Sequence, residues 1–146
     1  MKTFYDALPS SLAHACCEGK RALKGEHRDR VACGGTGRFS TSINLDEALK
    51  YDYPASPRWD YGLGLKNNNA VDERAIWVEV HPAGDSSGML KKIHWLKNWI
   101  KNEASKFLQI DNTFIWISTS GGSPRHHIQE LKQAGLKLPR QKIELS

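Results

Sequence analysis

The stretch that most constrains the fold runs from Arg74 to Pro82 and reads Arg-Ala-Ile-Trp-Val-Glu-Val-His-Pro. Its β-branched and aromatic residues predict a buried β-strand. Residues two apart in a strand point to the same face of the sheet, so Glu79 and His81 share a face. Because a buried carboxylate without a partner is costly, the strand needs a neighbour that compensates Glu79.

The preceding run, residues 58–65, provides that neighbour if the two runs form a hairpin through the polar, turn-forming residues 66–73. Pairing Leu65 with Arg74 places Asp60 directly opposite Glu79. One face of the hairpin is then a core face: Trp59, Tyr61, Leu63, Ile76, Val78 and Val80. The other face carries Arg58, Asp60, Gly62, Gly64, Ala75, Trp77, Glu79 and His81. A shift of one residue would destroy this sorting, so the pattern favours this register.

In this register, Asp60 and Glu79 face each other with their Cβ atoms roughly 5 Å apart. Like charges at that distance repel unless a proton or a cation lies between them, and hard cations such as Mg²⁺ take oxygen ligands of this kind. The two hairpin glycines are expected to leave room above the sheet. The alternative is structural: Arg58 pairs with Glu79, and His81 is an edge residue at the strand end.

Composition sets wider limits on the class of protein. A chain of 146 residues predicts one domain, residues 1–146, and 39% hydrophobic with 25% charged residues is typical of a globular protein. A net charge of +5 favours an anionic partner, of which nucleic acid is the commonest. No apolar run is long enough to span a membrane and no signal-peptide pattern is present, so we expect a cytoplasmic protein without a membrane partner.

Elsewhere the pattern predicts further elements. In the first half we expect a helix from Ser10 or Ser11 to about Leu23 or Lys24, carrying Glu18, then an irregular segment over residues 25–44. A short helical turn capped by Asn44 should follow. In the second half we expect a long helix over about residues 87–107 and a strand at Asn112–Thr119. A helix capped by Ser123, with Pro124 at its first position, should run to about Ala134, and a last strand should lie near residues 142–145.

Two surfaces in the second half have two interpretations each. Trp95 and Trp99 lie among basic residues of the long helix, as in a nucleic-acid surface, but a helix packed on a sheet with a solvated basic face explains them as well. Arg125, His126 and His127 lie at the expected start of the next helix, where they form either a phosphate site or an ordinary surface feature.

The order of elements, with an Asp on one strand, Glu-x-His on the next and then a long helix, resembles the core of the PD-(D/E)XK, or restriction-endonuclease-like, nuclease superfamily. The resemblance implies an α/β fold in which helices flank a mixed central β-sheet. It implies that Asp60 and Glu79 bind Mg²⁺ or Mn²⁺. His81 takes the position of the motif Lys, which helps activate or orient the attacking water, and Glu18 matches a further acid of some members. Trp59 replaces the motif Pro.

The replaced Lys leaves several outcomes open. His81 acts as a base or a metal ligand, or Lys91 or Lys92 supplies the missing amine from the next helix, or the site is inactive. The resemblance implies a nuclease acting on DNA or RNA, with catalytic residues Asp60, Glu79, His81 and Lys91. Nucleic acid would be bound by Lys92, Arg125, His126 and Arg58. The alternatives are an inactive nuclease-like domain that binds nucleic acid or a protein partner, and an interaction module whose interface includes Trp95 and Trp99.

Overall fold

The structure, a computed structural model, describes all residues from Met1 to Ser146. It is an α/β fold with a mixed five-stranded central sheet in the order β1-β3-β4-β5-β6 and a separate two-stranded parallel sheet of β2 and β7. The strands are β1 (Cys16–Glu18), β2 (Val31–Cys33), β3 (Arg38–Asn44), β4 (Tyr61–Lys66), β5 (Arg74–Val80), β6 (Asn112–Ile117) and β7 (Ile143–Leu145).

Five helices accompany the strands, and α4 is much the longest of them. They are α1 (Phe4–Ala7), α2 (Gly25–Arg28), α3 (Leu45–Leu49), α4 (Ser86–Glu103) and α5 (Ile128–Gln133), with 3₁₀ turns at Ser10–Ala15 and Ser105–Gln109. None of these helices combines the length and the apolar character that a membrane crossing requires.

The predicted hairpin and its register are confirmed. Strands β4 and β5 are antiparallel, with Leu65 opposite Arg74 and Tyr61 opposite Val78. The same register continued by one residue brings Asp60 to Glu79, where the Asp60 N–H donates to Glu79 Oε1 at 3.0 Å. Helix α4 then crosses over to β6, which lies parallel to β5, so the ends of β5 and β6 meet at one edge of the sheet.

Both faces of the central sheet are buried, so the prediction of a single core face is incomplete. One cluster collects the alternate residues Tyr61, Leu63, Ile76 and Val78 under Leu23, Val31 and Leu145. The opposite cluster contains Trp77, Phe4 and the apolar side of α4. Trp59 was expected with Tyr61 but belongs to this second cluster, because it precedes β4 and is not held in the pleat of the strand.

The room expected above the hairpin glycines is filled by aromatic side chains. A Cβ on Gly62 would come within 2.8 Å of Phe4 Cζ and of Trp77 Cζ3, and one on Gly64 within 2.7 Å of Phe4 Cβ. Phe4 and Trp77 pack with ring centroids 5.5 Å apart. The glycines therefore admit the N-terminal segment to the sheet and do not form space for a metal ion.

The helix expected from Ser10 to about Lys24 is wrong. The chain makes a 3₁₀ turn, then pairs Cys16–Glu18 with β3 as an edge strand, and Gly19 turns away with φ +54°. The edge of the sheet offers unpaired backbone N–H and C=O groups, and hydrogen bonds to them stabilise this segment as a strand. The weakly periodic apolar residues of the segment stabilise a helix less. Glu18 is exposed on that edge strand, opposite Thr41 of β3, and not on a helix.

The segment 25–44, expected to be irregular, contains α2, β2 and the seven-residue strand β3. Strand β3 lies inside the central sheet, between β1 and β4, with a bulge between Phe39 and Thr41. The capped turn after it is confirmed, since Asn44 Oδ1 accepts from the Glu47 N–H at 3.1 Å at the start of α3.

Helix α4 confirms the predicted long helix, although Phe107 lies in the 3₁₀ turn that follows. Trp99 is buried in the core and stacks on Trp95, whose other neighbour is Tyr53. Trp99 is therefore a core side chain and is not available to a partner, whereas Trp95 is partly buried between Trp99 and Tyr53.

Helix α5 begins at Ile128, with His127 before it, and not at Pro124 with Ser123 as its cap, although it ends where expected, with Gly135 at φ +96°. His127 precedes it in a left-handed conformation, and its Nδ1 lies 2.6 Å from Glu130 Oε2. Arg125 and His126 are exposed in the loop before the helix. The expected placement of these side chains at the first turn of the helix is therefore wrong, because the helix starts after them.

Candidate active site

Glu79, near the end of β5, is the centre of the site. Glu79 is completely buried, and each of its two carboxylate oxygens has a hydrogen-bond partner. Oε1 accepts the backbone N–H of Asp60 at 3.0 Å, and Oε2 lies 2.7 Å from the ammonium nitrogen of Lys92. A charge-assisted hydrogen bond of this length is among the strong interactions available to a buried carboxylate.

Asp60 and Glu79 are locked together across the two strands. While Glu79 accepts the Asp60 N–H, Asp60 Oδ2 accepts the N–H of Val80 at 3.0 Å. Each carboxylate therefore accepts a hydrogen bond from the backbone of the opposite strand, at or directly after the other acidic residue. Asp60 Oδ1 makes no hydrogen bond within the protein, and Asp60 is only partly buried. This oxygen is the part of the pair that is open to a ligand.

Lys92, and not Lys91, is the lysine at the carboxylates. Its Nζ donates to Glu79 Oε2 and also to the backbone carbonyl of Arg58 at 3.2 Å, with the side chain 22% exposed. Lys91 is exposed and makes no contact with Glu79. Successive residues of a helix are rotated by about 100°, so two neighbouring lysines cannot both face the sheet. Lys92, which was predicted to bind nucleic acid, therefore supplies the amine of the candidate active site.

Arg58 has a structural role. Its guanidinium donates to Asp46 Oδ1 at 2.9 Å and to the carbonyl oxygen of Tyr53 at 2.6 Å. The alternative in which Arg58 pairs with Glu79 is wrong, because Lys92 is the partner of Glu79. The same bonds hold the guanidinium within the protein, so it does not present a free cation to nucleic acid.

The pKa of Glu79 is raised to about 8, mainly by burial and secondly by the charge of Asp60. Lys92 opposes both effects through its charge and its hydrogen bond, and the Asp60 N–H opposes them more weakly. Desolvation disfavours the ionised form of an acid, and one nearby ammonium does not fully compensate it here. The site therefore favours a second positive charge, whether a proton or a metal cation.

His81 is oriented by a residue that sequence reasoning missed. Its Nε2 lies 2.9 Å from Asp85 Oδ2, and its Nδ1 lies 3.8 Å from Glu79 Oε2. Asp85 Oδ1 also accepts the Gly88 N–H at 3.0 Å as the cap of α4, and this bond, followed by the one to His81, lowers the pKa of Asp85. An Asp directly before a predicted helix is a known cap signal, and it could have identified Asp85.

Two buried side-chain polar atoms have no hydrogen-bond partner, and both flank the site in sequence. They are Trp59 Nε1, next to Asp60, and Ser86 Oγ, next to Asp85. Buried polar groups are nearly always satisfied, so unsatisfied ones are concentrated where a protein binds something or stores strain. Each of them is adjacent in sequence to a residue of the site, Asp60 or Asp85.

The other predicted site residues are not brought to the carboxylates. Glu18 pairs through Thr41 with Gly64, four residues along β4 from Asp60, and it is exposed. Arg125 and His126 are exposed in the loop before α5 and make no contact with Asp60 or Glu79. The assembled set consists of Asp60, Glu79, His81, Asp85 and Lys92.

The fit to a metal ion rests on oxygen donors. No group of three or more His, Cys, Asp or Glu side chains is placed to hold an ion, so the structure does not contain a complete protein cage. Mg²⁺ usually keeps several waters and binds through one or two carboxylates plus substrate phosphates. The free Oδ1 of Asp60 beside Glu79 meets that smaller requirement, with His81 as an adjacent nitrogen donor.

No family model, no curated protein sequence and no solved structure matches this chain.

Proposed function

We propose that the protein is a metal-dependent nuclease of the PD-(D/E)XK type that acts on DNA or RNA. The observation that carries the proposal is the contact of Asp60, Glu79 and Lys92 at one edge of the sheet. Two carboxylates and an amine are the residue types that the resemblance implies, and the amine missing from the strand is present 2.7 Å from Glu79. The hairpin, the crossover helix α4 and the parallel strand β6 agree with the expected restriction-endonuclease-like core.

In this proposal Asp60 and Glu79 would hold Mg²⁺ or Mn²⁺, cations that bind through one or two carboxylates together with water and substrate phosphate. Such a cation would supply Lewis acidity towards the phosphoryl oxygens and would activate water as the nucleophile. Lys92 holds Glu79 in place and presents a positive charge to the scissile phosphate. Asp85 fixes the orientation of His81, so that the imidazole is positioned as a base or as a further ligand.

One observation favours the alternative of an inactive nuclease-like domain. Glu79 is completely buried and both its oxygens are already occupied, one of them by the ammonium of Lys92. An ammonium in that position neutralises the carboxylate without a metal. The two functions differ in whether a divalent cation binds and whether phosphodiester bonds are cleaved.

The test compares cleavage of single- and double-stranded DNA and RNA by the wild type, Asp60→Asn, Glu79→Gln and Lys92→Met, each with Mg²⁺, Mn²⁺ or EDTA. We expect cleavage that requires the cation and falls about 100-fold or more in the two carboxylate variants. Asp52→Asn, which removes an exposed carboxylate from a loop, is the matched control and should cleave normally.

Calorimetric titration with Mn²⁺ separates the two functions. Binding that is lost in Asp60→Asn, together with cleavage, supports the nuclease. Nucleic-acid binding without cleavage, and without any response to Mn²⁺ or EDTA, supports the inactive domain. Cleavage that persists in Asp60→Asn and Glu79→Gln would reject the site.

A further inference from the structure

Positive charge is concentrated near the C-terminus. Residues 118–142 contain five cationic side chains and one acidic side chain, Glu130, so this segment carries +4 of the chain's net charge of +5. The cationic residues are Arg125, Lys132, Lys137, Arg140 and Lys142. Concentrated charge of one sign is the electrostatic signature of an anion-binding surface.

Three of these cations line one open groove. It has a volume of about 630 Å³, it lies between the end of α5 and the segment that follows, and its lining contains no acidic residue. The lining residues are Lys132, Gly135, Leu136, Lys137, Leu138, Pro139 and Arg140. Leu138 is half-exposed at its rim.

The cationic groups of this groove are free. The side chains of Lys132, Lys137 and Arg140 make no hydrogen bond or ion pair within the protein, whereas Lys92 and Arg58 are engaged. No acidic side chain of the groove neutralises these cations, so they attract an anion that binds at this open surface. The protein itself does not supply that anion.

The groove lies next to the candidate active site. The N–H of Arg140 donates to the carbonyl of Trp116, and the N–H of Ser118 donates to the carbonyl of Arg140. Trp116 is the direct strand neighbour of Glu79. Two strand spacings separate the backbones of Glu79 and Arg140, a distance of about 10 Å. One extended anionic polymer can therefore reach both the carboxylates and the groove.

We propose that the groove lined by Lys132, Lys137 and Arg140 binds the sugar–phosphate backbone of a nucleic acid that continues from the cleavage site. This inference rests on the proposed nuclease function for its substrate. The backbone of a nucleic acid carries closely spaced negative charges along its length. It fits an open groove that is lined by cations and contains no acidic side chain. Binding through such contacts is independent of base sequence and strongly dependent on salt.

The experiment measures fluorescence anisotropy of labelled 20-nucleotide DNA, 20-nucleotide RNA and a 20-base-pair duplex in EDTA, so that cleavage does not contribute. The groove variant is Lys132→Ala/Lys137→Ala/Arg140→Ala. The matched control, Lys24→Ala/Lys101→Ala/Lys106→Ala, removes three exposed cations from other surfaces and changes the net charge equally. Circular dichroism and calorimetric Mn²⁺ titration establish that both variants fold and keep the carboxylate site.

We expect the groove variant to bind at least about tenfold more weakly than the control. The slope of log K against log salt should decrease by about two to three units, close to one unit for each lost phosphate contact. Equal weakening in both variants would overturn the proposal, because it would mean that the attraction is diffuse. Equally strong binding of polyglutamate would overturn it in favour of an acidic protein partner.

The outcome is separable from that of the proposed function. If the groove variant alone loses binding but no variant or wild type cleaves any substrate, the groove is supported and the nuclease is not. If Asp60→Asn abolishes cleavage while the groove and control variants bind alike, the nuclease is supported and the groove is rejected. A wild type that binds none of the three probes would reject the groove.

Discussion

Glu79 lies at the end of β5 with its side chain fully buried, a position in which proteins seldom keep a carboxylate. Its partners, the Asp60 N–H and the Lys92 ammonium, would keep an exposed acid fully ionised at neutral pH, yet burial raises its pKa to about 8. A hydrophobic residue would pack there without this cost. The carboxylate is kept in this position by its contacts with the Asp60 N–H and the Lys92 ammonium, which offset part of the cost of its burial.

Asp85 and Gly88 provide a test of how His81 is positioned. Asn is a good helix cap, so Asp85→Asn should keep α4 within about 0.5 kcal/mol while weakening the hold on His81, and cleavage should fall about tenfold. A Cβ on Gly88 would come within 2.9 Å of Asp85 Cγ, so Gly88→Ala should displace the carboxylate and reduce cleavage similarly. Steady-state cleavage and urea unfolding measure the two effects.

Ser87→Ala, at an exposed position in the same helical turn, is the control and should match the wild type. Normal cleavage by Asp85→Asn would show that the contact with His81 does not serve the reaction. If Asp85→Asn lowered both the cleavage rate and the free energy of unfolding, the loss of cleavage would be explained by the loss of the helix cap alone.

At single positions the sequence allowed some of the site to be predicted and left the rest undetermined. Alternation in two strands was enough to pair Asp60 with Glu79, because a one-residue shift would expose the core. Choosing between Lys91 and Lys92 requires the rotation of α4 about its axis relative to the sheet, which depends on tertiary packing. The contact between Arg58 and Asp46 depends on where the loop after α3 runs, and no local pattern encodes it.

At the level of elements, strongly periodic segments were predictable and weakly apolar ones were not. Helix α4 and strand β5 carry regular apolar residues and were found. Strand β3 was missed because its core consists of small polar residues around Phe39 and Ile43, a composition that is also common in loops. It becomes a strand because β1 and β4 satisfy its backbone on both sides.

The contact of α1 with the hairpin predicts a cost for side chains at Gly62. A methyl group there would meet Phe4 and Trp77 at 2.8 Å, so Gly62→Ala should lower the free energy of unfolding by about 1–3 kcal/mol. Gly121→Ala, where a Cβ meets nothing within 4 Å, should change it by less than about 0.5 kcal/mol. Urea unfolding followed by tryptophan fluorescence gives both values.

Substitution of the facing side chain separates overpacking from a general effect of alanine. In the Phe4→Leu background, the smaller side chain leaves room, so the added cost of Gly62→Ala should shrink by at least about 0.5 kcal/mol. An unchanged cost in that background would show that Phe4 is not the group that Gly62 accommodates.

Across the whole molecule, the α/β class with a mixed sheet was predictable because strands and a long helix alternate in the second half of the chain. The two-stranded sheet was not, because β2 and β7 pair residues more than one hundred positions apart. Short strands at that separation are determined by the core that they cover. Val31 and Leu145 close the second face of the sheet over Leu63 and Ile76, and this makes the hairpin fully buried.

Burial of Glu79 predicts how the stability of the whole protein varies with pH. The pKa is about 8 in the folded state and close to its ordinary value of 4.5 in the unfolded chain, so the folded state binds the proton more tightly. The contribution of Glu79 to the free energy of unfolding is fully present below pH 4.5 and is lost as the pH rises to about 8. The expected loss is about 1.4 kcal/mol for each pH unit crossed.

Glu79→Gln removes this titration while keeping the shape of the side chain. The difference in unfolding free energy between Glu79→Gln and the wild type should therefore shift in favour of the variant between pH 5 and pH 9, as measured by urea unfolding at each pH without divalent cations. Adding Mn²⁺ at pH 8 should stabilise the wild type and leave the variant unchanged, because a cation that binds the ionised carboxylates of the folded state shifts the equilibrium towards that state. A difference between the two proteins that does not vary with pH would mean that Glu79 ionises normally in the folded state, with Lys92 compensating its burial completely.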